Sequence, residues 1–363
     1  MKIIFHSDGI PGYVANGFRF PTLIDSRGYI VVSVYLYMLY KVATNAWTTQ
    51  DTARSAAQRL LDIYAYFEDN GILFEKVSVR NITEYREYKL KIGIDGKPCA
   101  QRTVNATVDA FKDFWRWAES RGYVIEIGPA AVSEYKTRTR GIPALESITL
   151  PTADQIKLFL SKMRGPEERI GAALTLGAGL RRAEVVGLPA DILLPIEKME
   201  RRGGAVLLEL DGYHATTKGA RYRKVEIPVR LYGEMQNYKI SDRRASRIER
   251  VQPSCASLLV TKYGLSCRPN WLNDAFCRAA AICGIHMHPH LLRHWYATRF
   301  LEYETAVRFS GNGLAALEHL RRLLGHAHVS TTEIYEHLSL VESSEKIRAL
   351  TEYQGVLDEL LRV

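Results

Sequence analysis

The sequence predicts a mainly α-helical protein of two domains, and three observations carry that reading. Apolar residues recur at helical spacing from about residue 31 to 125. A polar stretch with a Gly and a Pro follows, from Ala130 to Ile148. Helical periodicity then resumes, broken by a single strand–turn–strand pattern between Val206 and Pro228. At 363 residues, 47% of them hydrophobic and 25% charged, the chain has length for two cores and the makeup of a folded protein.

Residues 1–30 read as a short N-terminal extension. They include a hairpin built from Phe18 to Ile24 with a turn at Asp25-Ser26-Arg27-Gly28. Helical patterning starts near Val31. A second helix spans about Asp51 to Asn70, capped by Thr48 or Thr49, with Leu60, Leu61, Tyr64 and Phe67 on one face and Gly71 at its end. A third covers Thr83 to Lys91 and closes at Gly93. A fourth runs from Arg102 to Arg121 with Val104, Val108, Phe111 and Ala118 in its apolar stripe. The first domain is therefore all-helical over residues 31–128, and residues 129–148 form a linker. Lys136, Arg138 and Arg140 in that linker have the charge to touch a phosphate backbone.

Thr152 caps the helix that opens the second domain, after Leu150-Pro151. Helices are expected at 153–163, 167–178 and 181–187, strands at Val206–Leu210 and Arg223–Pro228, and helices again at 269–283, 290–303, 314–324 and 330–338. Between the strands lies a turn of small residues around Thr217-Lys218-Gly219. Residues 231–250 carry Arg243, Arg244, Arg247 and Arg250, either a solvated helix face or a patch for a phosphate backbone. An amphipathic helix from Ser343 to Leu361 ends the chain.

A net charge of +9 favours a polyanionic partner, nucleic acid before membrane. The apolar run Ile30 to Tyr40 is too short to span a bilayer, and the N-terminus lacks a signal-peptide pattern, so a cytoplasmic, DNA-associated protein is expected. The five cysteines are Cys99, Cys255, Cys267, Cys277 and Cys283. They lack CxxC spacing, which argues against zinc and against a disulfide framework; Cys277 and Cys283 read as buried thiols. No P-loop, GxGxxG or HExxH stands in the chain, so no nucleotide cofactor and no metal are expected.

Six residues carry the chemistry: Arg181, Lys218, His290, Arg293, His326 and Tyr335. A phosphodiester repels nucleophiles with its non-bridging oxygens and has a poor alkoxide leaving group. Attack without a metal needs fixed cations, an activated nucleophile and a proton donor. Two guanidiniums suit the oxygens. Tyr335 suits the nucleophile, since neighbouring cations favour a phenolate. Lys218 at a hairpin tip suits the leaving group. His290 lies one helical turn before Arg293 and on the same face, and His326 follows Gly325 at a helix end. Taken singly, each residue has a structural use as an ion-pair member, cap or packed ring; the combination points to phosphoryl transfer.

The arrangement resembles the tyrosine recombinases of the phage-integrase family. The resemblance rests on Gly179-Leu180-Arg181-Arg182-Ala183-Glu184 and on Thr217-Lys218-Gly219 leading to Arg221, Arg223, Lys224 and Pro228. It rests also on His290-Leu291-Leu292-Arg293-His294 through Thr298, and on Leu324-Gly325-His326 through Ser330-Thr331-Thr332 to Ile334-Tyr335 and His337. The resemblance implies the catalytic fold of that family and a catalytic domain over 149–345. It implies that Arg181, Lys218, His290, Arg293 and His326 activate a phosphate, that Tyr335 is the nucleophile, and that Glu184 supports the arginines. On such a protein Arg221, Arg223 and Lys224, like Arg243, Arg244 and Arg247, are candidates for contacts to the DNA backbone. The helical first domain becomes a core-binding domain, completing a two-domain clamp on double-stranded DNA.

The implied reaction is site-specific recombination, the integration, excision or transposition of a mobile element, through a 3′-phosphotyrosyl bond and a Holliday junction. It implies a homotetramer in the synapse, a monomer or weak dimer when free, and an accessory DNA-bending or excision factor. Residues 346–363 would dock on a neighbouring protomer or pack on their own domain. Leu291 stands where the family most often has Asp. Residues 231–250 and 304–313 are long for the family, and residues 1–30 are short for an arm-site-binding domain. The other readings are a relaxing enzyme of the type IB topoisomerase kind, a DNA-binding regulator that does not cleave, and a helical scaffold.

Overall fold

The computed structural model describes residues 1–6, 20–44, 46–47, 50–93, 96–124, 131–135, 149–202, 204–211, 222–251, 256–303, 305, 308–325 and 332. The chain divides into two compact units, Met1–Ile142 and Pro143–Val363.

The first unit opens with strands β1 (Lys2–His6) and β2 (Phe20–Ile24), paired antiparallel with Lys2 opposite Ile24 and His6 opposite Phe20. The hairpin expected from residue 18 onward is thus corrected: the partner of β2 precedes it. The turn at Asp25 does form, with the Asp25 N–H donating to the Tyr29 carbonyl at 2.9 Å, but only Ile24 and Ile30 pair across it. The chain enters helix α1 (Val32–Ala43) immediately afterwards, because Val34, Tyr37 and Met38 bury better as a helical stripe than as strand residues.

Helices α2 (Gln50–Asp69), α3 (Val79–Lys91) and α4 (Gln101–Ser120) complete this unit. Helix α3 starts one turn before the expected Thr83. Asn81 Oδ1 accepts the Ser78 N–H at 2.9 Å and the Ser78 hydroxyl at 2.8 Å, satisfying a helix-end donor there. The core is aromatic, with Tyr37, Tyr85, Phe67, Phe111, Phe114 and Trp115 fully buried. Phe20 and Leu23 of β2 belong to the same cluster, so residues set apart as an extension contribute to this core. Two polar pairs cross it. Buried Lys89 meets Asp62 at 2.5 Å, and Tyr37 donates to Asp113 at 2.7 Å with Lys41 beside it. Desolvation first, then the Asp113 bond, raise the Tyr37 phenol far above its ordinary range and keep it a donor.

The second unit begins with helix α5 (Ala153–Ser161), closed by a reciprocal cap between Thr152 and Gln155. Helix α6 (Gly165–Ala178) is apolar on nearly every side from Ile170 onward and is buried there, so other elements wrap it. The short helix α7 (Arg182–Gly187) leads to a sheet of β3 (Arg201–Arg202), β4 (Ala205–Leu210) and β5 (Arg223–Pro228) in antiparallel order β3-β4-β5, with Leu208 opposite Val225. Helices α8 (Val229–Ile240), α9 (Asp242–Ile248), α10 (Pro269–Cys283), α11 (Pro289–Tyr303) and α12 (Gly313–Leu324) follow. Helix α11 packs on α6, and α12 on both α11 and β5.

Cys277 is exposed and Cys283 half-buried, correcting the expectation of buried thiols; among the described cysteines the buried one is Cys267. The inner face of α10 is Leu272, Ala275, Phe276, Ala279 and Ala280, which turns Cys277 outward. Among the described residues no helix is long and apolar enough to cross a membrane. The helices expected at 330–338 and 343–361 lie outside the described residues.

Candidate active site

Four separated segments of the second unit meet around buried guanidiniums. Helix α6 ends at Gly179, whose φ of 61° is the left-handed conformation that glycine adopts without strain. A β-carbon there would stand 2.4 Å from the Tyr296 ring, so the close approach of α11 also excludes side chains. The chain then reverses through buried Leu180 into Arg181, the residue capping α7.

Glu184, one turn into α7, is fully buried and accepts from two arginines and one backbone group. Its Oε2 takes the Arg181 N–H at 2.7 Å, and its Oε1 takes Arg181 Nη1 at 3.1 Å. Arg223, from β5, adds Nη1 to Oε1 at 2.7 Å and Nη2 to Oε2 at 2.6 Å, a two-pronged pairing. Burial by itself would raise the Glu184 carboxyl. The bonds and charge of Arg223, then those of Arg181, outweigh it and hold the group below the usual carboxylate range. An ionised carboxylate therefore sits at zero exposure, compensated by two cations.

Arg293 of α11 is 2% exposed. Its Nη1 donates to the Gly179 carbonyl and its Nη2 to the Leu324 carbonyl, the latter at 2.8 Å. It thereby joins the end of α6 to the end of α12. Helix α12 also stops on a left-handed glycine, Gly325 at φ 64°. A β-carbon at Gly325 would stand 2.9 Å from Arg223 Nη1, and the Gly325 carbonyl accepts from Arg181 Nη2 at 3.5 Å. Arg181 retains 24% side-chain exposure, so it alone of these three arginines faces solvent appreciably.

His290 lies at the solvent side of α11, its ring stacked on His294 with centroids 5.6 Å apart and planes 26° apart. Desolvation, then the charges of Arg293, His288, Arg181 and Arg182, push its basicity below that of an ordinary imidazole. His294 is lowered to about 4, by burial first and then by His290 and Arg293. His288 Nδ1 accepts the Leu291 N–H at 3.1 Å, closing the start of α11.

Of the residues expected to form the site, the structure brings Arg181, Glu184 and Arg293 into one network and sets His290 one helical turn from Arg293. Lys218, Arg221, His326, Tyr335, Lys136, Arg138 and Arg140 lie outside the described residues. Arg223, expected on a phosphate backbone, is 6% exposed and bound to Glu184, which corrects that expectation. Lys224 does point outward, and pairs with Glu200 at 2.8 Å and Glu209 at 3.3 Å.

The arginine-rich stretch is also largely internal. Arg244, 6% exposed, donates to the Leu258 and Ser257 carbonyls at 3.0 and 2.8 Å. Arg247 and Arg243 both pair with buried Glu167, and only Arg243 stays half exposed. Neither Arg244 nor Arg247 is the solvated or phosphate-facing group expected, because Glu167 and the loop carbonyls of 257–258 would otherwise be buried without partners. Among the described residues no group of three or more His, Cys, Asp or Glu is arranged to hold a metal ion.

Sequence reasoning missed the structural use of Arg223. The signal was present: strand alternation sets 223 with Val225 and Val225 with Ile227 on the inner face, and a cation there calls for a buried anion.

No family model matches the chain. Over 90% of its length it is 24% identical to tyrosine recombinase XerC 2 of Ralstonia nicotianae, covering 87% of that protein. It is 29% identical to tyrosine recombinase XerD of Lacticaseibacillus casei over 66% of this chain and 73% of that one. Among solved structures, the integrase of transposon Tn1549 in complex with a circular intermediate DNA superposes with a TM-score of 0.58 at 17% identity, over 88% of this chain and 98% of that one. At that identity the likeness is one of fold.

Proposed function

We propose that this chain, which belongs to the tyrosine recombinases, carries out site-specific recombination by attacking a DNA phosphate with Tyr335. The observation that carries the proposal is the tie made by Arg293, which holds the Gly-Leu-Arg segment and the Leu-Gly-His segment to one helix. That tie supports the reading because it brings residues remote in sequence into one cationic cluster.

In this reading Arg181, the open member of the cluster, takes a non-bridging oxygen of the scissile phosphate. Arg293, whose Nη1 and Nη2 hold the Gly179 and Leu324 carbonyls, fixes the frame of that site and adds positive charge behind it. His290, its basicity lowered by its surroundings, accepts the phenolic proton of Tyr335 or donates to the phosphate. The Tyr335 oxygen forms a bond to phosphorus as the bond to the 5′-oxygen breaks. Lys218 gives that oxygen a proton, leaving a 3′-phosphotyrosyl bond and a free 5′-hydroxyl. His326 supplies a third contact to the phosphate. Attack by the 5′-hydroxyl of a partner strand reverses the step, passes through a Holliday junction and needs no ATP.

The substrate is double-stranded DNA, acted on by four protomers in a synapse. Residues 31–128 serve as a core-binding domain and 149–345 as the catalytic one, with the C-terminal helix docking in cis or in trans. The biological use is movement of a mobile element, in keeping with the transposon integrase whose fold it shares.

The test is a covalent trap. Nicked duplexes tiled across the DNA that flanks the gene are incubated with the protein, and denaturing gels are read for a protein–DNA adduct. A 3′ linkage at Tyr335, mapped by peptide mass, supports the reading. Relaxation of supercoiled plasmid without any preferred site would instead mark a relaxing enzyme, and binding without an adduct a regulator.

A further inference from the structure

We propose that Arg223 is a positioning residue for strand cleavage, a role that rests on the cleavage reading above. Its guanidinium does not face solvent: its side chain is 5% exposed and both Nη atoms are spent on Glu184, at 2.7 and 2.6 Å. Three facts set its consequence. Glu184 also holds Arg181, through the backbone N–H and Nη1. Arg223 Nη1 stands 2.9 Å from where a β-carbon on Gly325 would be, so its guanidinium packs on the residue directly before His326. And Arg223 is the first residue of β5 and follows Lys218 closely in sequence. One side chain thus holds the carboxylate that holds Arg181 and packs on Gly325 at the end of α12.

The carboxylate could not do this alone. A fully buried Glu184 paired only with half-buried Arg181 would gain by taking a proton or by drawing Arg181 inward. Arg223 compensates most of the Glu184 charge by a bidentate contact and leaves the outer edge of Arg181 for a ligand. Lysine is not an equivalent substitute, because a single ammonium cannot engage both carboxylate oxygens in the plane.

The experiment uses the full chain and the nicked duplex that gives an adduct with the wild type. Arg223→Ala should bind that duplex within about threefold of wild type while single-turnover cleavage slows by about a hundredfold, the scale of a small misplacement at a reacting centre. Millimolar guanidinium should restore part of the rate, and urea, its neutral counterpart, should not. Glu184→Gln should slow cleavage too, and the double variant should be no slower than the worse single one. If Arg223→Ala does not fold, Arg223→Met with Glu184→Gln removes both buried charges together, and that folded pair should remain slow.

Wild-type cleavage by either folded variant overturns the inference. So does a loss that guanidinium leaves untouched and that adds to the Glu184→Gln loss, or a loss of cleavage matched by an equal loss of binding, the mark of a backbone contact. Failure of the wild type itself to form any adduct overturns the cleavage reading instead.

Discussion

The ring of Tyr296 lies where a side chain on Gly179 would have to go: a β-carbon built on Gly179 falls 2.4 Å from Tyr296 Cδ1. The two helices α6 and α11 are that close because Arg293, one turn before Tyr296 on α11, reaches the Gly179 carbonyl. Gly179→Ala would meet both the ring and a left-handed φ of 61°. It should destabilise the protein by about 2–4 kcal/mol in urea unfolding, combining overpacking with backbone strain. Tyr296→Ala in the same background should recover part of the alanine's added loss, a coupling that a double-mutant cycle reads directly; purely additive losses would show that the ring is not the obstacle.

Removal of the proposed nucleophile should separate binding from chemistry. Tyr335→Phe deletes one oxygen, so duplex affinity in a gel shift should stay within about twofold, as expected for an interface dominated by phosphate contacts. The covalent adduct should vanish from denaturing gels. An adduct at wild-type level in this variant would assign the nucleophile to another residue.

Arg181→Ala tests the open guanidinium. The loss of one preorganised charged donor at a developing negative charge typically costs about 10²–10³ in rate, with little effect on ground-state binding. Cleavage and gel shift measured side by side should therefore diverge. Parallel losses would make Arg181 a positioning contact for DNA.

Arg244→Met should behave in the opposite way. Its guanidinium is bound to the carbonyls of Ser257 and Leu258, so its removal strands two buried acceptors. The expected loss is about 2–3 kcal/mol of unfolding free energy. The slope of log affinity against log salt should be unchanged, whereas loss of one phosphate contact lowers that slope by about 0.9. A shallower slope with unaltered stability would return Arg244 to the DNA surface.

Acid should weaken the second unit through His294. Its folded value of about 4 is below the ordinary 6.5, so between these the unfolded chain binds more protons than the native one. Stability from this group is complete above about pH 6.5 and falls as the pH drops toward 4. With the ring partly solvated, the loss between pH 7 and pH 5 is on the order of 1 kcal/mol. His294→Gln should flatten that part of a urea-midpoint profile, and an unchanged slope would show that the ring does not titrate there. His290, lowered mainly by desolvation, contributes with the same sign.

Much of this was legible in the chain. Thr152, Gly179 and Gly325 mark helix ends by residue type, and each end falls where those residues indicate. The strands expected at 206–210 and 223–228, on either side of a run of small residues, do pair, the first beginning one residue earlier. What was not legible was long-range pairing. Nothing local to residues 20–24 reveals that Lys2–His6 is their partner. Nor does the spacing of Arg243, Arg244 and Arg247 reveal that a glutamate 76 residues upstream receives two of them. An arginine's charge suggests an outward phosphate, and only tertiary packing shows which arginines have been drawn inside to neutralise a buried acid. For Arg181 and Arg293 the residue types pointed to one cluster, but not to Arg293 being spent on main-chain carbonyls.

The contacts of Arg293 reach 114 residues back to Gly179 and 31 residues forward to Leu324. Closure over such separations comes late in folding, because loop entropy must be overcome before the contact contributes. A ribosome-bound chain lacking α12, or a proteolytic fragment ending before it, has an Arg293 with no second carbonyl to hold. The cluster around Arg181 and Glu184 is then braced from α11 and α12 only once the whole domain has been made, so a truncated chain lacks the frame on which the proposed chemistry depends.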